Sequence, residues 1–286
     1  MKLSLCLITF NEEKNIHYPL DSAYDLADEV VLVDGGSTDK TIEIAKSYGD
    51  KVRIIKTNNP KNFLINKQKA IEEAKGEWIL QLDADEELSS ELKQEIKKLF
   101  KPVSLESRVQ NSESSVDPKT NSEFSILNFK FCGYNIPRKN WFLTRFLMKG
   151  GVYPDYVLRL YKKEGANFDL KDVHENVKIK GEVGYLKSPI LHYADPNFGR
   201  YLARWNRYTT FEAEKLAKEG KKLNFFVYFF IKPHWWFLKT YFRHKGFMDG
   251  FPGFVFSLFS SIRFWSIYVK WWNFKNKNGT RKSNSN

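Results

Sequence analysis

Residues 78–88, WILQLDADEEL, limit what this chain can fold into more than any other stretch. Trp78 to Leu82 is an apolar, strand-like run too short to make a helix of its own. It ends in Asp83-Ala84-Asp85-Glu86, where three of four residues are carboxylates. In an extended backbone, side chains two apart share a face, so Asp83 and Asp85 are expected to project together. Two crowded carboxylates repel, and a cation between them relieves the repulsion. Mg²⁺ or Mn²⁺ suits such oxygen ligands and commonly arrives with a substrate phosphate. The same acids would also suit a helix N-terminus, and Ser89-Ser90 with Leu92, Ile96 and Leu99 do begin a helix. What favours the metal is position, because the motif closes a strand preceded by three strand–helix units.

Those units read in order. Residues 3–9 form a strand, and a helix is expected from about Glu12. Residues 29–33 (EVVLV) form a second strand and end in Asp34-Gly35-Gly36-Ser37-Thr38-Asp39. Glycines permit close backbone approach there, and Asp39 can cap the next helix. That helix runs to about Tyr48, a third strand covers 52–55, and a third helix covers about 63–75. Strands alternating with helices predict a parallel sheet with covered faces. Ligands of such sheets bind beyond the strand C-termini. Thr9-Phe10-Asn11, Asp34 and Asp83 to Asp85 all fall at that edge.

SLCLITFNEEKNI, VVLVDGGSTDKTIEIA and GEWILQLDADEEL together resemble the signature segments of family-2 glycosyltransferases with the GT-A fold, over about residues 3–100. The resemblance implies an α/β, Rossmann-like, mostly parallel sheet with helices on both faces. It also implies a nucleotide-diphosphate-sugar donor, a divalent metal and an inverting transfer. By position, Thr9, Asn11 and Glu12 would line the nucleotide pocket and Asp34 would contact base or ribose. Asp83 would face the ribose and Asp85 the metal, with Asp83 beside it. Gly35 departs from the pattern, since many members carry a second Asp there, so the base is left open.

Further along, IPRKN, GGVYPDYVLRLYKK, VHENV and LHY resemble the lipopolysaccharide-core β-glucosyltransferase branch. This implies a UDP-sugar, plausibly UDP-glucose, as donor and a lipid-linked saccharide or lipopolysaccharide core as acceptor. Glycosyl transfer needs a base for the attacking hydroxyl, usually a carboxylate. The resemblance places His174-Glu175 on the acceptor side, with Glu175 as base, Asp155 as fallback and His174 as a phosphate contact or orienting group. Arg159 can pair with the diphosphate, since a planar guanidinium suits phosphate oxygens. His192 reads as a structural histidine. A related reading takes polyisoprenyl phosphate itself as acceptor, and that nucleophile would need no base.

Charge divides the chain. Residues 1–100 hold 14 Lys+Arg against 19 Asp+Glu, whereas residues 221–286 hold 12 against one. The second stretch also carries 21 of the 46 aromatics, between Leu223 and Phe274. A basic, aromatic tail on an acidic catalytic half suggests an anionic surface as partner. The cysteines Cys6 and Cys132 lack metal-ligand spacing and read as reduced core residues, hence a cytosolic-side protein. The start, MKLSLCLITF, reads as a strand and not a signal peptide, because no small-residue cleavage site follows. Residues 101–123, rich in Ser, Asn and Glu, read as a flexible insertion within a catalytic domain spanning 1–220.

Arg200, Arg204 and Arg207 share one face of a helix over 197–219. They suit either a solvated face pairing with Glu212 and Glu214 or a cationic rim for acceptor or lipid headgroups. Across 221–275, Phe254, Leu258, Ile262, Trp265, Val269 and Trp272 recur every three or four residues as an apolar stripe. The longest charge-free run, Gly250 to Ile262, is 13 residues, short of the ~18 a spanning helix needs. Amphipathic helices on the inner leaflet are therefore expected, with Trp265 and Trp272 at headgroup level, making the protein peripheral or monotopic. A helical hairpin packed on protein, or a spanning or re-entrant helix over 247–269, are the alternatives. Residues 276–286 read as a disordered basic tail. Nucleic acid, which basic aromatic surfaces also bind, is disfavoured because the aromatics follow a helical stripe and the site-bearing half is acidic.

Overall fold

The structure, a computed structural model, describes residues 2–60, 62–100, 131–169 and 176–283, with side chains through Asn276. The insertion at 101–123 and the pair His174-Glu175 therefore lie outside the described residues. The described chain divides into two compact units. The first comprises Met1–Arg138 and Asp155–His192, and the second comprises Lys139–Pro154 and Tyr193–Asn286. The expected boundary at 220 would place the helix after 197 with the sheet, whereas that helix groups with the tail.

The first unit is built on four parallel strands: β1 (Leu3–Thr9), β2 (Glu29–Asp34), β3 (Val52–Lys56) and β4 (Trp78–Asp83). Helices α1 (His17–Ala23), α2 (Thr41–Ser47) and α3 (Leu64–Glu73) connect them. After β4 come the short strand β5 (Glu86–Leu88) and α4 (Ser90–Phe100). Strands β6 (Phe131–Phe142), β7 (Arg145–Leu147), β8 (Asp155–Lys162), β9 (Glu182–Tyr185) and β10 (Ile190–Asp195) complete the sheet. Its order is β3-β2-β1-β4-β8-β6-β10-β5, with β7 and β9 paired to β6. Beyond β4 the sheet turns antiparallel at β8, so the chain is mixed α/β with a parallel core.

Period-two alternation explains why both faces are covered. Leu3, Leu5 and Leu7 of β1 point to one face with Ile16, Leu20, Leu92 and Ile96. Cys6 points to the other, with Val31, Val33, Ile79, Ala70 and Ile71. Each such side chain, fully buried, contributes about 1.5–3 kcal/mol. The Cys6 thiol is completely buried and donates to the Ala70 carbonyl at 3.4 Å. Burial pushes its pKa far up, so it packs as a neutral core group.

The second unit contains α5 (Phe198–Lys218), capped by Asn197, whose side chain accepts from the Arg200 amide. It then runs through a π turn (Val227–Ile231), α6 (Lys232–Phe237), a second π turn (Leu238–Arg243) and a 3₁₀ turn (Gly246–Asp249). The last helix, α7, spans Gly250–Ser283, so helical backbone extends into the stretch expected to be disordered. The core of this hairpin is Ala213, Tyr228, Phe264, Ile267 and Trp271. The hairpin packs on α5 through Ala213. Among the described residues no helix is long and apolar enough to cross a membrane.

Candidate active site

Parallel register brings the strand ends of the first unit level. Thr9 lies opposite Asp34, Ile8 opposite Asp83, and Asp34 opposite Lys56. The three polar loops expected at one sheet edge are therefore at one edge. Asp34 is fully buried and organises its own loop. Its Oδ1 accepts from Thr9 Oγ1 at 3.0 Å and Ser37 Oγ at 2.5 Å, and its Oδ2 from the Gly36 and Ser37 amides at 2.9 and 2.8 Å. Four donors fill the four acceptor positions of a carboxylate. Asp34 thus shapes the loop from inside.

Asn11 and Glu12 join that loop to β1. Asn11 sits at φ 56°, a left-handed conformation asparagine tolerates better than most residues. Its amide donates to Ser37 Oγ at 2.8 Å and its Oδ1 accepts from the Thr38 amide at 2.8 Å. The Glu12 amide donates to Thr41 Oγ1 at 2.8 Å and the Glu13 amide to Asp39 Oδ2 at 3.1 Å. These bonds tie residues 11–13 to the neighbouring loop, and α1 begins at His17 and not near Glu12. Burial works against ionisation of Asp39, but hydrogen bonds from Thr41 and the Glu13 amide hold its carboxyl below the usual range. At Gly35 an added Cβ would lie 3.3 Å from Asn59 Cβ, so a larger residue there would have to displace Asn59.

The acidic motif separates into two sites. Asp83 ends β4, but Ala84 and Asp85 form a turn, so the two-residue rule of an extended strand does not carry to Asp85. Asp83 Oδ1 meets Lys67 Nζ at 2.6 Å and its Oδ2 meets Arg159 Nη2 at 2.5 Å. Arg159 Nη2 also donates to Glu86 Oε1 at 2.7 Å, which Arg138 Nη1 reaches at 3.1 Å. Arg138 then donates to Asp155 Oδ2 through Nε at 3.0 Å and Nη2 at 2.7 Å. Burial alone would raise the Asp83 pKa, but Arg159 and Lys67 beside it hold the carboxyl well below the usual range. Burial lowers Lys67 in spite of Asp83, while Asp83 and Glu86 raise Arg159 against its own burial. With a cation on each oxygen, Asp83 is charge-matched by protein in this structure.

Asp85 lies instead against His192. Its Oδ1 is 3.5 Å from His192 Nε2, and both side chains are mostly buried. Antiparallel pairing of β10 with β5 sets this, since His192 lies opposite Glu86 in the register. A carboxylate and an imidazole this close suit a divalent cation of borderline hardness. Among the described residues no group of three or more His, Cys, Asp or Glu gathers to hold a metal alone. A metal here would therefore take further ligands from substrate or water. His192 was read from sequence as structural, and Lys67, Glu86 and Arg138 were not singled out there. Lys67 gave a signal, because it falls between Leu64 and Ile71 on the buried face of α3.

Arg204 ion-pairs with the nearly buried Asp195. Arg207 lies over the Tyr208 ring, 5.8 Å from its centroid, while Arg200 belongs to the first turn of α5.

Residues 4–154 match the family described as Glycosyl transferase family 2. The chain belongs to that family. A glycosyltransferase of Rickettsia bellii (strain RML369-C) is 32% identical over 275 residues, covering 92% of this chain and 84% of the relative. The lipopolysaccharide core biosynthesis glycosyltransferase LpsC of Rhizobium meliloti (strain 1021) is 26% identical over 259 residues, covering 89% and 86%. Among solved structures, Staphylococcus aureus TarS 1–349 aligns over 99% of this chain and 92% of its own at 15% identity, with a TM-score of 0.39. That likeness is too loose to carry argument, and the family-2 assignment rests on sequence.

Proposed function

We propose that this glycosyltransferase moves a sugar, glucose from UDP-glucose being the favoured donor, onto a lipid-linked saccharide of the lipopolysaccharide-core kind at the cytosolic membrane face. The observation that carries the reading is the Asp85–His192 pair at the C-terminal edge of a parallel sheet, beside the loop that Asp34 organises. The similarity to LpsC supports the acceptor class.

Asp85 and His192 would hold a divalent cation, with Mn²⁺ suited better than the harder Mg²⁺ because one ligand is an imidazole. Such an ion, when bound, neutralises charge developing on a leaving diphosphate. Thr9, Asn11 and Glu12 frame the nucleotide side through the loop they fix. Asp83 holds Lys67 and Arg159 in place, so that Arg159 is a preformed cation near the diphosphate without a free choice of rotamer. Glu175 takes the proton of the acceptor hydroxyl as its oxygen bonds to the anomeric carbon and the bond to the nucleotide diphosphate breaks, a direct displacement that inverts that centre. Asp155, held by Arg138, is the fallback base.

The test is donor hydrolysis across a panel of nucleotide sugars, with Mn²⁺ binding followed in parallel by electron paramagnetic resonance. Mn²⁺ bound in the presence of UDP by the intact protein, and lost in Asp85→Ala and His192→Ala, is the expected result. Unchanged binding in both variants would remove the Asp85–His192 site.

A further inference from the structure

We propose that the outward face of the C-terminal hairpin is a bilayer-binding surface that lies flat in the headgroup boundary of an anionic membrane. The proposal deepens the reading above by naming the surface on which a lipid-linked acceptor would be met. Its test measures no glycosyl transfer and so stands or falls separately.

The first row of this face comes from the helix entering the hairpin. Phe226, Phe230, Trp235, Leu238 and Phe242 are each about half exposed or more, at 60, 47, 58, 53 and 55%. Their steps are four, five, three and four residues. The π turns on either side of α6 have a longer repeat than an α-helix, and the five-residue step falls at the first of them. The second row comes from α7, where Phe251 is 72% exposed and Phe254, Trp265, Val269 and Trp272 are also exposed. The rows adjoin along their length. Trp265 Nε1 donates to the Phe229 carbonyl at 2.9 Å, and Phe254 lies against Phe237 and Tyr241 with centroids 6.2 and 5.8 Å apart.

This outer face is not spare core. The inner face of α7 is already satisfied by Phe264, Ile267 and Trp271, all buried with Tyr228 and Ala213. Contiguous apolar surface beyond a few hundred Å² on a folded protein marks a partner.

Charge selects the partner. Within residues 221–276, Asp249 is the sole acid, and it is buried. It accepts from the Met148 and Lys149 amides at 3.0 and 2.7 Å. The exposed ionic groups are cations at both ends of the hairpin. Lys221, Lys222 and Lys275 lie at the open end, where Trp271 Nε1 bonds the Lys221 carbonyl at 3.1 Å, and Arg243 and Lys245 lie at the turn. A second copy would join by a two-fold axis, which repeats one patch on both subunits. Either orientation then sets cationic ends against cationic ends. An anionic bilayer meets both requirements, taking the aromatics at headgroup level and the cations at the phosphates.

The experiment is sedimentation of the full chain with vesicles of phosphatidylcholine alone and of phosphatidylcholine with phosphatidylglycerol. The intact protein should sediment with both, several-fold more tightly with phosphatidylglycerol present, and brominated acyl chains should quench its tryptophan emission. Trp235→Glu with Leu238→Glu changes two exposed side chains. With unchanged circular dichroism, this variant should lose at least tenfold in binding to either vesicle. Lys221→Gln, Lys222→Gln, Arg243→Gln and Lys275→Gln together should abolish the preference for phosphatidylglycerol while leaving residual binding to phosphatidylcholine. An intact protein that stays in the supernatant with both vesicles overturns the proposal. So does a folded Trp235→Glu/Leu238→Glu variant that binds as tightly as the parent. A dimer in sedimentation equilibrium that this variant dissociates, without vesicle binding by the parent, assigns the face to a second copy.

Discussion

Asp83 and Asp85 differ by two residues and by everything around them. Asp85 faces an imidazole, whereas Asp83 is clamped between Lys67 and Arg159. Their substitutions should therefore fail differently. Asp85→Ala should lower transfer by about 10²–10³, the range for losing one group that stabilises developing charge, with the melting temperature little changed. Lys67→Met should act on stability, because it leaves a carboxylate that was matched on both oxygens with one cation. Breaking a buried pair typically costs about 3–5 kcal/mol, and the remaining Arg159 bond should bring this to about 2–3. The pH dependence follows from Asp83, whose folded pKa is depressed. A depressed carboxylate stabilises the fold above its unfolded pKa of about 3.9, and that contribution is lost as pH falls below this toward the folded value. Urea denaturation should thus show a wide gap between parent and Lys67→Met near neutral pH that narrows below about pH 3.9. An equal gap at both pH values would mean that Lys67 acts by packing and not by charge. The motif at 83–86 was legible as chemistry, but its division was not, because a pairing across 16 or 107 residues leaves no trace near the acids, even though the buried position of Lys67 was itself readable.

At the scale of elements, the parallel core was legible because hydrophobic periodicity is local. Strands β1 to β4 fall where apolar runs predicted them. The start of α1 was misplaced: Asn11 sits in a left-handed conformation and residues 11–13 bond side chains 26 to 29 residues away, neither of which local propensity records. In the tail, the expected stripe through Phe254, Trp265, Val269 and Trp272 is an exposed face of α7, and a second, buried face runs through Ser257, Phe264, Ile267 and Trp271. Aromatics lie on both sides of this helix, so periodicity alone did not separate the buried face from the exposed one. The hairpin turn depends on one close approach. A Cβ on Gly253 would lie 2.0 Å from the Gly246 carbonyl oxygen and 2.8 Å from Asp249 Cβ. Gly253→Ala must therefore push α7 off the turn, at a cost of about 1–3 kcal/mol or more. Its melting temperature should drop clearly, while Gly220→Ala, with open space around the Cβ, should show only the smaller strain of a left-handed backbone.

The molecule as a whole divides at His192 and Tyr193, not at 220, and this changes what truncation should do. Composition favours a cut after Gly220, where the basic aromatic segment begins. The structure makes α5 one wall of the second unit. Trp205 Nε1 donates to the Phe259 carbonyl at 3.0 Å, and Lys270 Nζ bonds the Asn206 carbonyl at 2.8 Å and Thr209 Oγ1 at 2.7 Å. The segment 139–154 depends on the same hairpin. The Met148 and Lys149 amides end on Asp249, and the Gly150 amide donates to the His244 carbonyl at 2.9 Å. Removing residues 221–286 strips Tyr201 and Phe142 of Phe259 and Phe256 and exposes their apolar faces to water. Truncation after Gly220 should therefore give an aggregating protein with a disordered α5, in place of a soluble core enzyme. Limited proteolysis checks this: cleavage within 198–218 should appear in the truncated chain and be absent from the intact one. A truncated chain that stays monomeric and resists cleavage there would show that α5 does not need the hairpin.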